Sequence, residues 1–536
     1  MIEPVNFHDV GGPWSSATSN TIVELLDEAC RRDPDRPLLI FEDGLTLNRR
    51  DFLDRIVRFG GYLEGRIEPG ERVAIMLDNR AEFMIAWLAV VALRGTLVSV
   101  NPTAKEHDAG HVLNDSEARV VIIGPQHLAL IDGIRAKCPS LRAVICLDGD
   151  EPNGLPWNGS KKISLVNSGC QRDDIANIYY TSGTTGPPKG CMTDHEWWLR
   201  TVDVDLPLHP KGPDDRMLCC LQFYYADPGW QVLAALQCGG AVVVMRRFSV
   251  SRFWNVVRQN DVTEILGIAS IPILLLKAPA SPHDRQNKVK RALQVAVPAN
   301  LHRQMVDRWG FPWVDGYGIT EGNFVTRMPL SYADEMTGSG SIGVACPEVS
   351  LRHVDDNGHD VGIGNVGEFW IKGPGLMRGY LNRPTATAEA LRDGWFHSGD
   401  LGRQDERGFY YFVGRKKDII RRSGENLAAA EVEEVLRSHP RILDVAVIGV
   451  PDDVRGEEVK AYIQLVAGEF PASVPPQEIV DYCASKLAAY KVPRYIEYRA
   501  GDFPRTPSMR VQKESLRAER PDLIQGTWDR ENPSMT

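Results

Sequence analysis

Apolar residues in Thr21–Arg32 and Arg49–Leu63 return at the three- and four-residue spacing of helices with one buried face. After the Pro69-Gly70 turn, the run Arg72–Met76 reads as a short strand. Strand-like apolar runs recur at Arg119–Ile123, Leu141–Cys146, Ile175–Tyr180, Gly240–Met245, Glu264–Ile268 and Arg291–Val297, with helical patterns between several of them. This alternation predicts an α/β fold with largely parallel sheets. From about Leu351 the texture changes to short β-like segments separated by Gly and Asn, which predicts a small antiparallel or barrel-like subdomain. A separate α+β unit follows, with helix Ala429–Ser438, strands Val445–Gly449 and Lys460–Val466, and helix Pro476–Leu487. The expected organisation is a large N-terminal domain (1–413), a charged linker (414–418), a small C-terminal domain (419–520) and a loosely held tail (521–536).

Length agrees with more than one domain, because 536 residues exceed the ~250–300 at which single cores stop growing. With 43% hydrophobic and 25% charged residues the chain is ordinary globular material. A net charge of −10 argues against a partner held through nucleic-acid phosphates. The most apolar stretch, Ala81–Val100, carries Glu82 and Arg94 and is broken by Gly95. It therefore reads as a buried helix running into a strand, not as a ~20-residue membrane span. The N-terminal sequence has no basic and apolar secretory pattern, and the ten cysteines form no CxxC pair. Reduced thiols and a cytoplasmic location are the expectation.

The strongest chemical signal is Tyr179-Tyr180-Thr181-Ser182-Gly183-Thr184-Thr185-Gly186-Pro187-Pro188-Lys189-Gly190, an apolar strand running into glycines and hydroxyls that end at a lysine. Glycines let backbone N–H groups approach a phosphate, hydroxyls add donors, and lysine adds a mobile charge. A Walker A loop would end in Gly-Lys-Ser/Thr; here Pro188 precedes Lys189 and Gly190 follows it. Downstream, Asp315-Gly316-Tyr317-Gly318-Ile319-Thr320-Glu321 offers an aromatic face for a purine and a carboxylate for a hard cation. Trp395-Phe396-His397-Ser398-Gly399-Asp400 supplies an acceptor-only carboxylate suited to vicinal hydroxyls. The basic run Gly414-Arg415-Lys416-Lys417-Asp418 and then Ser423-Gly424-Glu425-Asn426 complete the order.

Together these segments resemble the adenylate-forming superfamily of acyl-CoA synthetases, peptide-synthetase adenylation domains and luciferases, from about residue 20 to 517. The resemblance implies that ATP is the nucleotide. Thr181, Ser182, Gly183, Thr184, Thr185, Gly186 and Lys189 would hold its outer phosphates. Asp315, Gly316 and Tyr317 would belong to the nucleotide site, with the Tyr317 ring against adenine; Thr320 would contact the α-phosphate and Glu321 would help hold Mg²⁺; Asp400 would accept the ribose hydroxyls, and Arg415 would reach the ribose or a phosphate. Lys417 corresponds to the pivot on which the small domain turns, and Gly424 to the loop that lines the CoA passage.

Two departures stand out. Where the family's last motif has Gly-Lys, this chain has Met509-Arg510. Three readings stay open: Arg510 takes over the lysine's work at the α-phosphate, Lys513 swings in, or adenylation is organised differently for an unusual substrate. Arginine keeps the charge but spreads it over a planar fork. Relatives also often carry histidine after Phe223, where Tyr224 or Tyr225 stands here. With Trp230, Val297, Ala299 and Phe324 these residues are candidates for the acid pocket, whose aromatic walls suit a flat or short acid.

The resemblance implies activation of a small, possibly aromatic, carboxylic acid as acyl-AMP, pyrophosphate release, and transfer to CoA, most like bacterial acid–CoA ligases of the carnitine/crotonobetaine type. A free-standing carrier protein is a possible acceptor. ATP-dependent activation of nitrite for diazotisation of an aryl amine is the alternative chemistry. A catalytically inactive ATP/AMP-binding regulatory protein is the alternative of another class.

Overall fold

A computed structural model describes residues 19–147, 160–166, 168–181, 188–268, 271–423, 425–505 and 511–533. Two sheets with parallel cores form the large domain. In one, strands Ile175–Thr181, Thr96–Ser99, Arg72–Met76, Val120–Ile123 and Ala143–Cys146 run parallel in that spatial order. Lys189–Asp194 and Gly379–Tyr380 extend it antiparallel beyond Ile175–Thr181. The other has parallel Pro37–Phe41, Ala241–Val244, Arg216–Cys219, Glu264–Ile268, Arg291–Val295 and Trp313–Ile319, with Thr46–Asn48 antiparallel at one edge and Asn323–Arg327 and Val344–Ala345 at the other. The central strands are buried on both faces, which is why they read as continuous apolar runs.

Helix Ala81–Ala92 carries eleven buried residues and leads into strand Thr96–Ser99, so the most apolar stretch is core. No helix among the described residues is long and apolar enough to cross a membrane. Thr21 caps helix Ile22–Arg32 by accepting the Glu24 N–H (3.1 Å). Beside it, His195 opens helix His195–Leu208 and its Nδ1 accepts the Ile22 N–H (3.2 Å), so the ring is held neutral. Burial pulls its pKa down to about 4. A proton taken up freely by the unfolded chain near 6.5 is thus refused by the fold. This stability is complete above about pH 6.5 and is lost as pH falls through 4. The His195→Gln variant, which keeps an acceptor, should flatten the pH dependence of the unfolding free energy from urea titrations in that window by about 2–3 kcal/mol.

Strands Ser350–Val354, Gly367–Lys372, Trp395–Gln404, Leu391–Arg392 and Tyr410–Arg415 make the expected antiparallel subdomain. The C-terminal unit is a six-stranded sheet around the long hairpin Ile442–Asp452/Gly456–Leu465, with helices Ala429–Arg437 and Pro476–Ala484. Residues 521–533 do not hang loose: Trp528–Asp529 pairs antiparallel with Tyr495–Tyr498, and Asp529 receives Arg494 at 3.1 Å. The tail's polar composition hid a strand whose partner lies far away in sequence.

Candidate active site

The hairpin Ile175–Thr181/Lys189–Asp194 sets Tyr180 opposite Gly190 and Thr181 opposite Lys189. The glycine-and-hydroxyl segment is therefore the hairpin's connection, with Thr181 and Lys189 at its two bases. Ser182, Gly183, Thr184, Thr185 and Gly186 lie outside the described residues. Gly190 is needed where it stands, because a Cβ there would fall 2.8 Å from Ile178 Cγ2. Two side chains from helix Glu106–Asp115 fasten the hairpin. His111 Nε2 donates to the Pro188 carbonyl (2.9 Å), and the Tyr180 hydroxyl donates to Asp115 (2.9 Å).

Lys189 Nζ sits 5.1 Å from the ring centre of Tyr380, and the Tyr380 hydroxyl donates to Glu321 Oε1 at 2.9 Å. One tyrosine thus ties the loop's lysine to the carboxylate of the second motif. Burial raises the Glu321 carboxyl above its ordinary range, and the Tyr380 hydrogen bond offsets this only in part. A divalent cation bridging to phosphate would hold it ionised. Among the described residues no group of three or more His, Cys, Asp or Glu side chains could enclose a metal by itself. A hard cation here would draw most of its ligands from phosphates and water, as suits Mg²⁺. Thr320, beside Glu321, has its carbonyl fixed by the Trp197 indole N–H (3.0 Å).

Across the site, Asp400 is buried and its Oδ2 accepts the Tyr317 hydroxyl (2.7 Å). Arg415, its cross-strand neighbour, brings Nε to 3.1 Å from Oδ1, yet that oxygen has no aligned hydrogen bond among the described residues. A buried carboxylate oxygen with an open acceptor position, flanked by a phenol and a guanidinium, is a receptor for hydroxyl donors. The Tyr317 ring lies roughly parallel to Phe412, centre to centre 6.1 Å.

Asp315 is held by backbone donors. Its carboxylate accepts the N–H groups of Ala296 (3.0 Å), Val297 (2.8 Å) and Gly316 (2.7 Å). Burial still pushes its pKa up to about 7. It braces the loop that carries Val297 and, beyond it, Ala299 at the start of helix Ala299–Trp309, so its oxygens are already engaged within the chain. Gly316 faces Arg327 across the ladder and would clash with it if it bore a Cβ (2.8 Å to Cδ).

Of the acid-pocket candidates, Tyr224 and Tyr225 stack with ring centres 4.2 Å apart and share a hydroxyl–hydroxyl bond of 2.7 Å just before helix Ala226–Cys238. Trp230 from that helix meets Phe324 edge-on at 5.4 Å. Val297 is buried.

In the small domain, Lys417 lies in the turn Lys416–Asp418, and burial lowers its pKa. Its neighbour Lys416 is anchored to Asp356 (2.8 Å) and Glu368 (3.1 Å) of the barrel-like subdomain. Gly424 and Arg510 lie outside the described residues. Lys513 is ion-paired with Glu433 at 2.8 Å and is mostly buried, which speaks against a free swinging cation. The two domains touch where Lys277 donates to the carbonyls of Ile442 and Leu443 (3.0 Å to the latter) and Asn300 to that of Glu434 (3.5 Å). Sequence reasoning missed Tyr380, Phe412 and Trp197, since no local spacing links them to the residues they hold.

Comparison with known proteins agrees with this arrangement. The profile of the AMP-binding enzyme family matches residues 26–381, and that of its C-terminal domain matches 431–510. The chain is 30% identical to the crotonobetaine/carnitine–CoA ligase of Citrobacter koseri, over 85% of this chain and 90% of that one. It is 28% identical to a long-chain-fatty-acid–CoA ligase of Bacillus subtilis, over 94% and 95%. The o-succinylbenzoate CoA synthetase of Bacillus subtilis, solved with its acyl-adenylate intermediate, superposes with a TM-score of 0.80 at 27% identity, covering 92% of this chain and 98% of that one. The fold also matches anthranilate CoA ligase AuaEII (TM-score 0.83, 24% identity, covering 93% and 96%). A buried carboxylate with an open oxygen, a hairpin with Lys189 at its base and a family profile spanning most of the large domain converge on one conclusion: this chain belongs to the AMP-binding enzyme family.

Proposed function

We propose that the protein is an AMP-forming acid–CoA ligase acting on a small acid. The observation that carries this is Asp400, whose open oxygen lies beside Tyr317 and Arg415, as a ribose would require. The names of the relatives supply the CoA acceptor.

In the first step an oxygen of the acid attacks the α-phosphorus of ATP, and pyrophosphate leaves. Little covalent chemistry falls to the protein, so rate comes from positioning and fixed charge. Thr181, Ser182, Gly183, Thr184, Thr185, Gly186 and Lys189 grip the outer phosphates, while Thr320 and Arg510 face the α-phosphate. Asp400 takes the ribose hydroxyls with Arg415 behind it, and Tyr317 places its ring against adenine. Glu321 would hold Mg²⁺, which supplies charge neutralisation between phosphates. Tyr380 keeps Glu321 and Lys189 in register, a job visible only in the fold. In the second step the small domain turns about Lys417, bringing Gly424 to the acyl-AMP so that CoA thiol can displace AMP.

The test is a pyrophosphate-release screen over aryl, short-chain and long-chain acids and nitrite, each with and without CoA. Thioester formation with short or aryl acids is the expected result. Pyrophosphate release with nitrite plus an aryl amine, independent of CoA, would replace this reading with diazotisation. ATP binding with no pyrophosphate from any acid would make the chain a nucleotide sensor.

A further inference from the structure

Arg327 ends strand Asn323–Arg327, which begins just beyond the Thr320–Glu321 turn. It is 2% exposed, and its Nε and Nη2 have no hydrogen-bond partner among the described residues. The guanidinium carbon lies over Phe324, 3.7 Å from the ring centre, and 5.9 Å from the centre of the Trp230 ring. Both aromatics are acid-pocket candidates. An aromatic ring against a guanidinium attracts its charge but gives its N–H groups no acceptor oxygen. The glycine opposite, Gly316, clears the space in which the side chain lies.

Three buried carboxylates among the described residues, Asp205, Asp227 and Asp315, feel the charge of Arg327, but none of them hydrogen-bonds to it. Asp205 accepts His209 (2.9 Å) and Lys211 (2.6 Å), and Asp315 accepts three backbone N–H groups. Asp227, in the first turn of helix Ala226–Cys238, feels the charge of Arg327, and burial still raises its carboxyl above the ordinary range. A buried guanidinium with two orphaned donors against aromatic walls is unfavourable unless an acceptor arrives. A carboxylate satisfies both donors at once.

We infer that Arg327 is the anion-binding floor of the acid pocket, and that the acid carries a second carboxylate at the end remote from the one activated. The substrate class is thus a short or aryl dicarboxylic acid; this rests on the acid-activating reading above.

The test uses matched pairs, benzoate against terephthalate and hexanoate against adipate, in pyrophosphate release without CoA and thioester formation with it. The full-length chain is compared with its Arg327→Met and Arg327→Lys variants. Wild type should favour the diacid of a pair by at least about tenfold in kcat/KM. Arg327→Met should lose about a hundredfold on diacids and little on monoacids, with Arg327→Lys between. Monoacids turned over as fast as diacids by wild type, or equal loss on both in a variant that still binds ATP, would overturn the inference while leaving the ligase reading intact. If Arg327→Met does not fold, the wild-type pair ratios decide alone. Pyrophosphate from no acid at all would remove both readings together.

Discussion

Asp400→Ala should lower kcat/KM for ATP in pyrophosphate release by about 10²–10³, mostly through a higher KM. Hydrogen bonds to a charged group are worth about 1.5–3 kcal/mol each, and a factor of ten corresponds to about 1.4 kcal/mol. Two ribose contacts of about 1.5–2 kcal/mol each, at the lower end of that range, account for the loss. The variant also leaves the Tyr317 hydroxyl and Arg415 without their shared acceptor. Asp400→Asn keeps the shape but turns part of the acceptor into a donor, so it should fall nearly as far. An unchanged ATP KM in Asp400→Ala, measured by coupled pyrophosphate release, would remove the ribose from this position.

The second large effect is expected at Arg510. The described residues on either side of it are anchored: Arg505 bridges to Val511 and pairs with Asp444, while Phe503 and Leu516 are buried in the small domain. A preorganised cation at the developing charge of the α-phosphate is worth about 10²–10³ in rate. Arg510→Ala should therefore slow adenylation by that factor and leave thioester formation from supplied acyl-AMP nearly unchanged, as the proposed turn of the small domain would carry Arg510 out of the site. Lys513→Ala should slow neither half-reaction strongly, because Lys513 is occupied by Glu433. The opposite pattern, a silent Arg510→Ala and a dead Lys513→Ala, would transfer the role to Lys513. Arg510→Lys separates charge from shape, since ammonium restores the point charge without the fork.

What was legible in the sequence was what local pattern dictates. Buried parallel strands announced themselves as unbroken apolar runs, and Ala81–Val100 could be read as helix then strand because Glu82, Arg94 and Gly95 punctuate it. The strand Trp395–Gln404 was harder, since the motif around Ser398-Gly399-Asp400 looks like a turn in isolation. At the site, residue types sufficed to nominate Lys189, Glu321 and Asp400. They could not reveal Tyr380, whose contact with Glu321 crosses 59 residues of chain. Nor could they show that Asp315 is already engaged by three backbone N–H groups. Arg327 reads as an ordinary surface arginine until the fold lays it across Gly316 and onto Phe324. Each miss concerns a partner chosen by topology rather than by spacing.

Pairing of Trp528–Asp529 with Tyr495–Tyr498 has a practical side. Those two residues act as a hem, closing the margin of the small domain's sheet. A chain cut at residue 520 would bare that margin's N–H and C=O groups to any neighbouring strand, and the small lobe would become the part most inclined to stick.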